Sequence, residues 1–298
     1  MPVNIFIVDD SATVRMALKM LLEKDPDICV LGVAATADIA LRKMANNWPD
    51  VIVSDLEMPG MHGLDFLRHI NANRPTPFVV CSTQVGPGAK ASIDALALGA
   101  IDIIAKPNIA IDACVDEISI AIAQAVKAAA QSGRRHLVRP TTRTERPLPS
   151  PHIRRNNIDK IAVIAIGSST GGTGIVENIL KSLTPATPGV LIVQHMPKHF
   201  TGLFAKRLDS ICAIDVKEAE NGDVVRHGLA LIAPGGMHIK LAKLNHRFVV
   251  HTVDDTPVNR HKPSVDVLFN SVAQHAGSHA LGIILTGMGD DGANGLLA

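Results

Sequence analysis

Short runs of β-branched and apolar residues alternate with amphipathic stretches along the first 128 residues. The runs are VNIFIV (3–8), ICVLGVA (28–34), VIVS (51–54), FVVCS (78–82) and IDII (101–104). Each is short and nearly continuous in apolar character, as a strand covered on both faces would be. Between them Ala12–Glu23 and Ala37–Asn46 carry a helical period, as does the alanine-rich Asp112–Ala130 that follows. Five strands alternating with five helices predict a doubly wound parallel sheet, an α/β fold. Ligands of such sheets gather beyond the carboxyl ends of the strands. Asp9 and Asp10 follow the first strand, Asp55 ends the third, Ser82 ends the fourth and Lys106 follows the fifth. All five are predicted to meet at one edge.

The pattern lapses from Gln131 to Asn157, where QSGRRHLVRPTTRTERPLPSPHIRRNN has many prolines and no hydrophobic period. That texture predicts a linker. Its arginines (Arg134, Arg135, Arg139, Arg143, Arg146, Arg154, Arg155) face only Glu145, which suits a solvated hinge first and a tail for an acidic partner second. Alternation resumes at Lys160. The runs IAVIAIG and GVLIVQH read as buried strands, HIKLAKLNHRFVVHTV as a hairpin, SVDVLFNSVAQHA as a helix and ALGIILTG as a further strand. A second α/β unit follows from this, so the expected layout is residues 1–130, a linker over 131–157, and residues 158–298.

A chain of 298 residues is long enough for two units, each with its own core. A net charge of +1 with 19 % charged residues gives no bulk attraction to nucleic acid or to an acidic membrane. Cys29, Cys81, Cys114 and Cys212 lie in apolar stretches without a CxxC spacing, and read as buried free thiols in a reducing compartment. IFIVDD near the N-terminus is already core strand, not a leader, and no apolar run approaches the ~18 residues that a membrane span requires. A cytoplasmic protein without membrane insertion is expected.

Two sets of residues carry chemistry. Three carboxylates beside a lysine repel one another unless a cation sits between them, which points to a hard ion such as Mg²⁺ and a phosphoryl group. Helix capping would account for Asp10 before SATVRM but not for the whole set. In the second unit Gly167–Gly171 fits G-x-S-x-G, a tight strand-to-helix turn that exposes Ser169 for attack. Such a serine needs a base held by a third group; His195 is the candidate base, and Asp290 or Asp291 in TGMGDDGANG the candidate acid. The glycines of that loop allow backbone N–H groups to face an oxyanion. A phosphate-binding reading of GSSTGG lacks the lysine of a P-loop and the spacing of GxGxxG. His195 and His199 in HMPKH stand four apart as in zinc helices, but Pro197 interrupts the helix and no glutamate lies between.

The text IVDDSATVR, SDLEMPGMHGLDF, CST and AKP resembles the receiver domain of bacterial response regulators, a flavodoxin-like five-stranded fold, over about residues 3 to 128. The resemblance implies phosphorylation of Asp55 and Mg²⁺ held by Asp9, Asp10, Asp55 and the backbone carbonyl of Glu57. It also implies that Ser82 and Lys106 sense the phosphate. Ile103 stands where the family often carries an aromatic residue, so the signal is expected to pass through a domain interface and not through a ring flip.

The text GSSTGGT, VQHMP, APGGMHI, VNRHKPSVDVLF and LTGMGDDGANG resembles the catalytic domain of the protein-glutamate methylesterases of bacterial chemotaxis. This implies hydrolysis of γ-glutamyl methyl esters, and deamidation of glutamines, on methyl-accepting chemotaxis receptors, with a chemotaxis histidine kinase as phosphodonor. Ser169 would be the nucleophile, His195 the base and Asp291 the orienting acid, with Thr170 beside the nucleophile, the N–H of Met288 in the oxyanion hole and no cofactor in this domain. The family's domain runs on past GANGLLA, so the resemblance also implies a C-terminally truncated catalytic domain. The competing class is a phosphorylation-controlled binding module with a non-catalytic second domain.

Overall fold

The computed structural model describes residues 2–83, 87–107, 115–137, 160–286 and 289–298. The N-terminal unit carries β1 (Val3–Val8), α1 (Ala12–Leu22), β2 (Ile28–Ala34), α2 (Ala37–Met44), β3 (Val51–Ser54), α3 (Gly63–Asn73), β4 (Phe78–Ser82), α4 (Pro87–Ala97), β5 (Asp102–Ala105) and α5 (Val115–Leu137). The strands form one parallel sheet in the order β2-β1-β3-β4-β5. Every residue of β3 and β4 is buried, as the unbroken apolar runs predict for central strands packed by helices on both faces. Full burial of each such Val or Ile contributes about 1.5–3 kcal/mol.

Some boundaries differ from the sequence expectation: β5 runs one residue later, Asp102–Ala105, and α2 stops at Met44, short of Asn46. Helix α5 continues through Leu137, so the first residues of the expected linker are helical; QSG contains no proline to stop the helix, and the prolines begin only at Pro140. Residues 138–159, the rest of the linker, lie outside the described residues. Helix α1 is capped by Ser11, whose side chain accepts from the Val14 N–H, so Asp10 is not its cap. The thiols also differ from expectation: Cys81 is buried, but Cys29 is exposed and Cys212 half-buried. Cys29 sits on β2, the edge strand, where one side of the strand has no neighbour. Cys114 lies outside the described residues.

The C-terminal unit carries β6 (Val163–Ser168), α6 (Thr173–Ser182), β7 (Gly189–Gln194), α7 (Phe200–Ile211), β8 (Asp215–Glu218), β9 (Leu229–Ile232), β10 (His238–Leu244), β11 (Arg247–Val253), α8 (Val265–Ala276), β12 (Ala280–Ile284) and α9 (Ala293–Leu297). Its five-stranded sheet, ordered β12-β6-β7-β9-β8, is parallel throughout, and β10-β11 is a separate antiparallel hairpin. The hydrophobic pattern alone left α7, β8 and β9 unassigned. The four-residue β8 reads DVKE, and only Val216 of it is buried, so its apolar signal is too weak to register.

The two units share a core. Ala89, Ile93, Ala100 and Ile103 from the first belong to the same buried cluster as Met196, Phe200 and Phe204 from the second, and α4 packs on α7 and α6.

Candidate active site

At the carboxyl edge of the first sheet the Lys106 ammonium lies 2.6 Å from Asp55 Oδ2 and 3.0 Å from Asp9 Oδ2. Asp9, Asp10 and Asp55 each present an oxygen within 4.8 Å of the others. Burial raises the Asp9 carboxyl above its ordinary range and the Asp55 charge adds to this, while Lys106 opposes both. Burial alone would lower the Lys106 pKa, but the two carboxylates outweigh it and raise the value. Asp9 Oδ2 is buried and paired with the Lys106 ammonium at 3.0 Å. An all-oxygen set of three clustered carboxylates fits a hard divalent cation. Ser82 closes β4 with its hydroxyl turned to the Thr83 and Gly88 carbonyls. Glu57 is exposed.

The second set forms where β6 turns into α6. Gly167 leaves space that any Cβ would take from the Val265 methyls, and Gly171 turns the chain with φ +74°, a conformation that favours glycine. Between them Ser169 is held by its N–H on the Thr286 carbonyl at 3.1 Å. Buried Gln194, the last residue of β7, donates to the Ser169 and His195 carbonyls at 2.9 and 3.1 Å and so links the two strand ends. The Ser169 hydroxyl lies 3.2 Å from His195 Nδ1, and His195 Nε2 lies 2.9 Å from Asp291 Oδ2. Asp291 also accepts from the Ser264 hydroxyl (2.6 Å), the Val265 and Asp266 N–H groups (2.7 and 3.2 Å) and the Asn259 amide (3.0 Å). Burial alone would raise the Asp291 pKa, but these donors and His195 outweigh it and hold the carboxyl well below the carboxylate range. A permanently ionised acid therefore faces the imidazole.

A serine, a histidine and a carboxylate in file can carry out acyl transfer: the imidazole takes the serine proton as the hydroxyl attacks, and the carboxylate stabilises the resulting imidazolium. Of the two acids left open, Asp291 makes the contact; Asp290 is exposed. His199 does not join His195 in a helix: it precedes α7 with φ 77° and is exposed. Met288 lies outside the described residues.

A cavity of about 350 Å³ opens beside Ser169. Thr170, His195, Arg260, His261 and Lys262 line it from the second unit, and Asp102, Ile103, Ile118 and Ile122 from the first. The N-terminal unit thus roofs the nucleophile. Thr170 hydrogen-bonds the Asp102 carboxyl, which burial pushes up to about 6 against the opposing effects of Thr170, the Ile103 N–H and His195.

Comparison with known proteins agrees with this layout. The CheB methylesterase family matches residues 164–298, and the response regulator receiver domain matches residues 5–118. The chain is 48 % identical over 302 residues to protein-glutamate methylesterase/protein-glutamine glutaminase 2 of Dechloromonas aromatica, across 99 % of this chain and 84 % of that protein. The chain belongs to this family. The corresponding protein 2 of Shewanella denitrificans is 48 % identical over 298 residues, covering 97 % of this chain and 84 % of that one. The crystal structure of the Thermotoga maritima CheB methylesterase catalytic domain is 37 % identical with a TM-score of 0.45, covering 46 % of this chain and 73 % of that one. The first unit of this methylesterase is accordingly a receiver domain, and both of its domains are α/β.

Sequence reasoning missed His261. Its ring stacks on His195 with centroids 3.8 Å apart and planes 6° from parallel. Burial pulls its pKa down to about 4, and the neighbouring His195 adds to this, so at neutral pH an uncharged ring covers one face of the methylesterase's imidazole. No spacing rule announces a ring stack; only the turn that carries VNRH against β7 creates it. His261→Ala is expected to lower kcat by about 10- to 100-fold, because a misdirected base loses much of its general-base contribution. His261→Phe, which keeps a flat neutral ring, should retain clearly more. Ester hydrolysis by the two variants, compared at one pH, checks this.

Proposed function

We propose that Ser169, His195 and Asp291 hydrolyse γ-glutamyl methyl esters, and deamidate glutamines, on cytoplasmic helices of methyl-accepting chemotaxis receptors under the control of phosphorylation at Asp55. The continuous contact from Ser169 Oγ through both nitrogens of His195 to Asp291 carries the reading, and the relatives' activity agrees with it. A binding module would need no such relay.

In this mechanism Ser169 Oγ attacks the ester carbonyl carbon while His195 Nδ1 takes its proton. Asp291 stabilises the imidazolium from the Nε2 side. The proton then passes to the leaving oxygen, methanol departs, and an acyl-serine remains. Water enters by the same route, loses its proton to His195, and releases the glutamate carboxylate. With glutamine the leaving group is ammonia. Gly289 and Thr286 line a small cavity on the Asp291 side of the serine, where N–H donors of the glycine-rich loop, including the proposed Met288, would meet the oxyanion.

The receiver would act by covering this site. Mg²⁺ held by Asp9, Asp10 and Asp55, with the Glu57 carbonyl, would neutralise the incoming phosphoryl group, and Lys106 and Ser82 would then turn towards it. A histidine kinase would supply the phosphoryl group. The division into two domains, 1–130 and 158–298 in the sequence reading and with α5 carrying the first on through Leu137, belongs to the same proposal, with the rest of the arginine- and proline-rich linker between them. No helix among the described residues is long and apolar enough to cross a membrane, which suits an enzyme working on the cytoplasmic parts of receptors. Methanol release from methylated receptor membranes, with Ser169→Ala as control, tests the proposal; equal release by both proteins would refute it.

The roof predicts a dependence on pH. Burial in the closed structure raises the Asp102 pKa from 3.8 to about 6; where undocking re-exposes the carboxyl, the docked state binds the proton more tightly than the undocked one. Below about pH 4 the acid is neutral in both states and does not affect docking; between about 4 and 6 docking weakens as pH rises, and above 6 the full cost of burying the charge is present. Asp102→Asn removes the titration. Basal activity of the unphosphorylated protein should therefore rise from pH 5 to pH 7 more steeply than that of Asp102→Asn, and parallel profiles would show that Asp102 does not tune the interface.

A further inference from the structure

We propose that Arg260 is a specificity-determining residue, a fixed cation that captures a carboxylate flanking the scissile ester or amide on the substrate chain. The inference rests on the ester-hydrolase reading above and names how that site selects its substrate.

Arg260 stands in a four-residue turn closed by two backbone hydrogen bonds, Val258 N–H to His261 O at 3.1 Å and His261 N–H to Val258 O at 2.9 Å. Both central residues are left-handed, Asn259 at φ 50° and Arg260 at φ 65°. Asparagine suits such a position, whereas the second place ordinarily calls for glycine. An arginine held there against backbone preference points to a use for its side chain. The turn is also tied to the catalytic machinery: the Asn259 amide donates to Asp291 at 3.0 Å and to Asp266 at 2.7 Å. The base of the cation is therefore fixed relative to the triad.

Arg260 lines the cavity that contains Ser169, Thr170 and His195. Among the described residues it makes no ion pair or side-chain hydrogen bond, whereas its neighbour Lys262 is engaged by Asp254 at 2.7 Å. The reacting carbonyl of an ester or an amide is neutral and does not need a guanidinium to bind it. A planar fork of donors at the cavity wall matches instead a carboxylate a few ångströms from the reacting carbon. A substrate that presents several glutamates, as the family's reaction products do, offers one a residue or a helical turn away.

The test is steady-state methanol release from methylated receptor membranes by the full-length protein activated with a small phosphodonor, resolved into KM and kcat. Arg260→Gly is the informative variant, since glycine satisfies the left-handed backbone and leaves the turn intact while removing the charge. It should raise KM about tenfold and change kcat less than about twofold. Arg260→Lys should recover part of the loss, and Arg260→Glu should bind worse than Arg260→Gly. The wild-type KM should rise with added salt, through screening of the ion pair, while that of Arg260→Gly stays nearly flat. Neutralising glutamates next to the methylated position to glutamine should weaken wild type and leave Arg260→Gly unaffected. An unchanged KM in Arg260→Gly, or a loss confined to kcat, overturns the inference while the hydrolase reading stands. No methanol release by the wild type overturns both.

Discussion

Replacing Ser169 or His195 by alanine is expected to lower methanol release by about 10⁴-fold or more, and the double variant should lose little beyond either single one. Nucleophile and base act as a unit, so once one is gone the other has no partner to activate, and what survives comes from binding and oxyanion contacts. Asp291→Asn should cost about 10⁴-fold as well, but for an additional reason. Asp291 collects donors from His195, Ser264, Val265, Asp266 and Asn259. An asparagine offers one oxygen and turns an N–H₂ towards groups that also donate, leaving buried donors unpaired at about 1–3 kcal/mol each. Asp291→Asn should therefore lower Tm measurably, whereas Ser169→Ala, at the cavity end of the relay, should leave it nearly unchanged. Retention of most of the activity in Ser169→Ala would remove the serine mechanism; an unaltered Tm in Asp291→Asn would mean that the acid orients the histidine without holding the loop.

A small phosphodonor with Mg²⁺ should raise the esterase rate of the full-length protein about tenfold, which corresponds to about 1.4 kcal/mol taken from the domain interface. Asp55→Asn should stay at the basal rate, and chelation of Mg²⁺ should abolish the response without lowering the basal rate, because Asp9, Asp10 and Asp55 lie in the receiver and not in the relay. The physical route is short. Asp55 and Lys106 lie at the carboxyl end of the receiver sheet, and β5 and the neighbouring α4 lead from there to the roof over Ser169. A phosphoryl group on Asp55 adds charge that Lys106 must follow, and Ile103, buried with α4 against Phe200 and Phe204, is positioned to pass the shift on. Labelling of Ser169 by a serine-directed organophosphorus probe gives a second readout: it should quicken with phosphorylation in the wild type and stay constant in Asp55→Asn. Equal rates with and without phosphodonor in both readouts would mean that the receiver does not gate the site.

Much of this site was legible in the chain. The strand ends were visible as apolar runs stopping at a polar residue, so Asp9, Asp10, Asp55, Ser82 and Lys106 could be placed at one edge, and GSSTGG could be read as a turn that exposes Ser169. His195 was legible because it follows a strand adjacent to that of the serine. Asp290 and Asp291 were not distinguishable by spacing, since two consecutive loop residues differ only in which way the loop turns them. Val265 packed against Gly167 and Gly292 sets that direction in the fold.

What the sequence determined by itself is therefore the α/β layering, the residues at the strand ends and the kinds of chemistry they can carry, because these depend on period, chain direction and side-chain type. Contacts between residues far apart in the chain were decided by the tertiary structure. The stack of His261 on His195, the five donors on Asp291, the Asn259 brace beneath Arg260 and the burial of Asp102 against Thr170 each join segments whose approach is set by helix and sheet packing. The extension of α5 through Leu137 and the short β8 belong with them: a helix end without a proline and a polar edge strand are settled by their neighbours, not by their own residues.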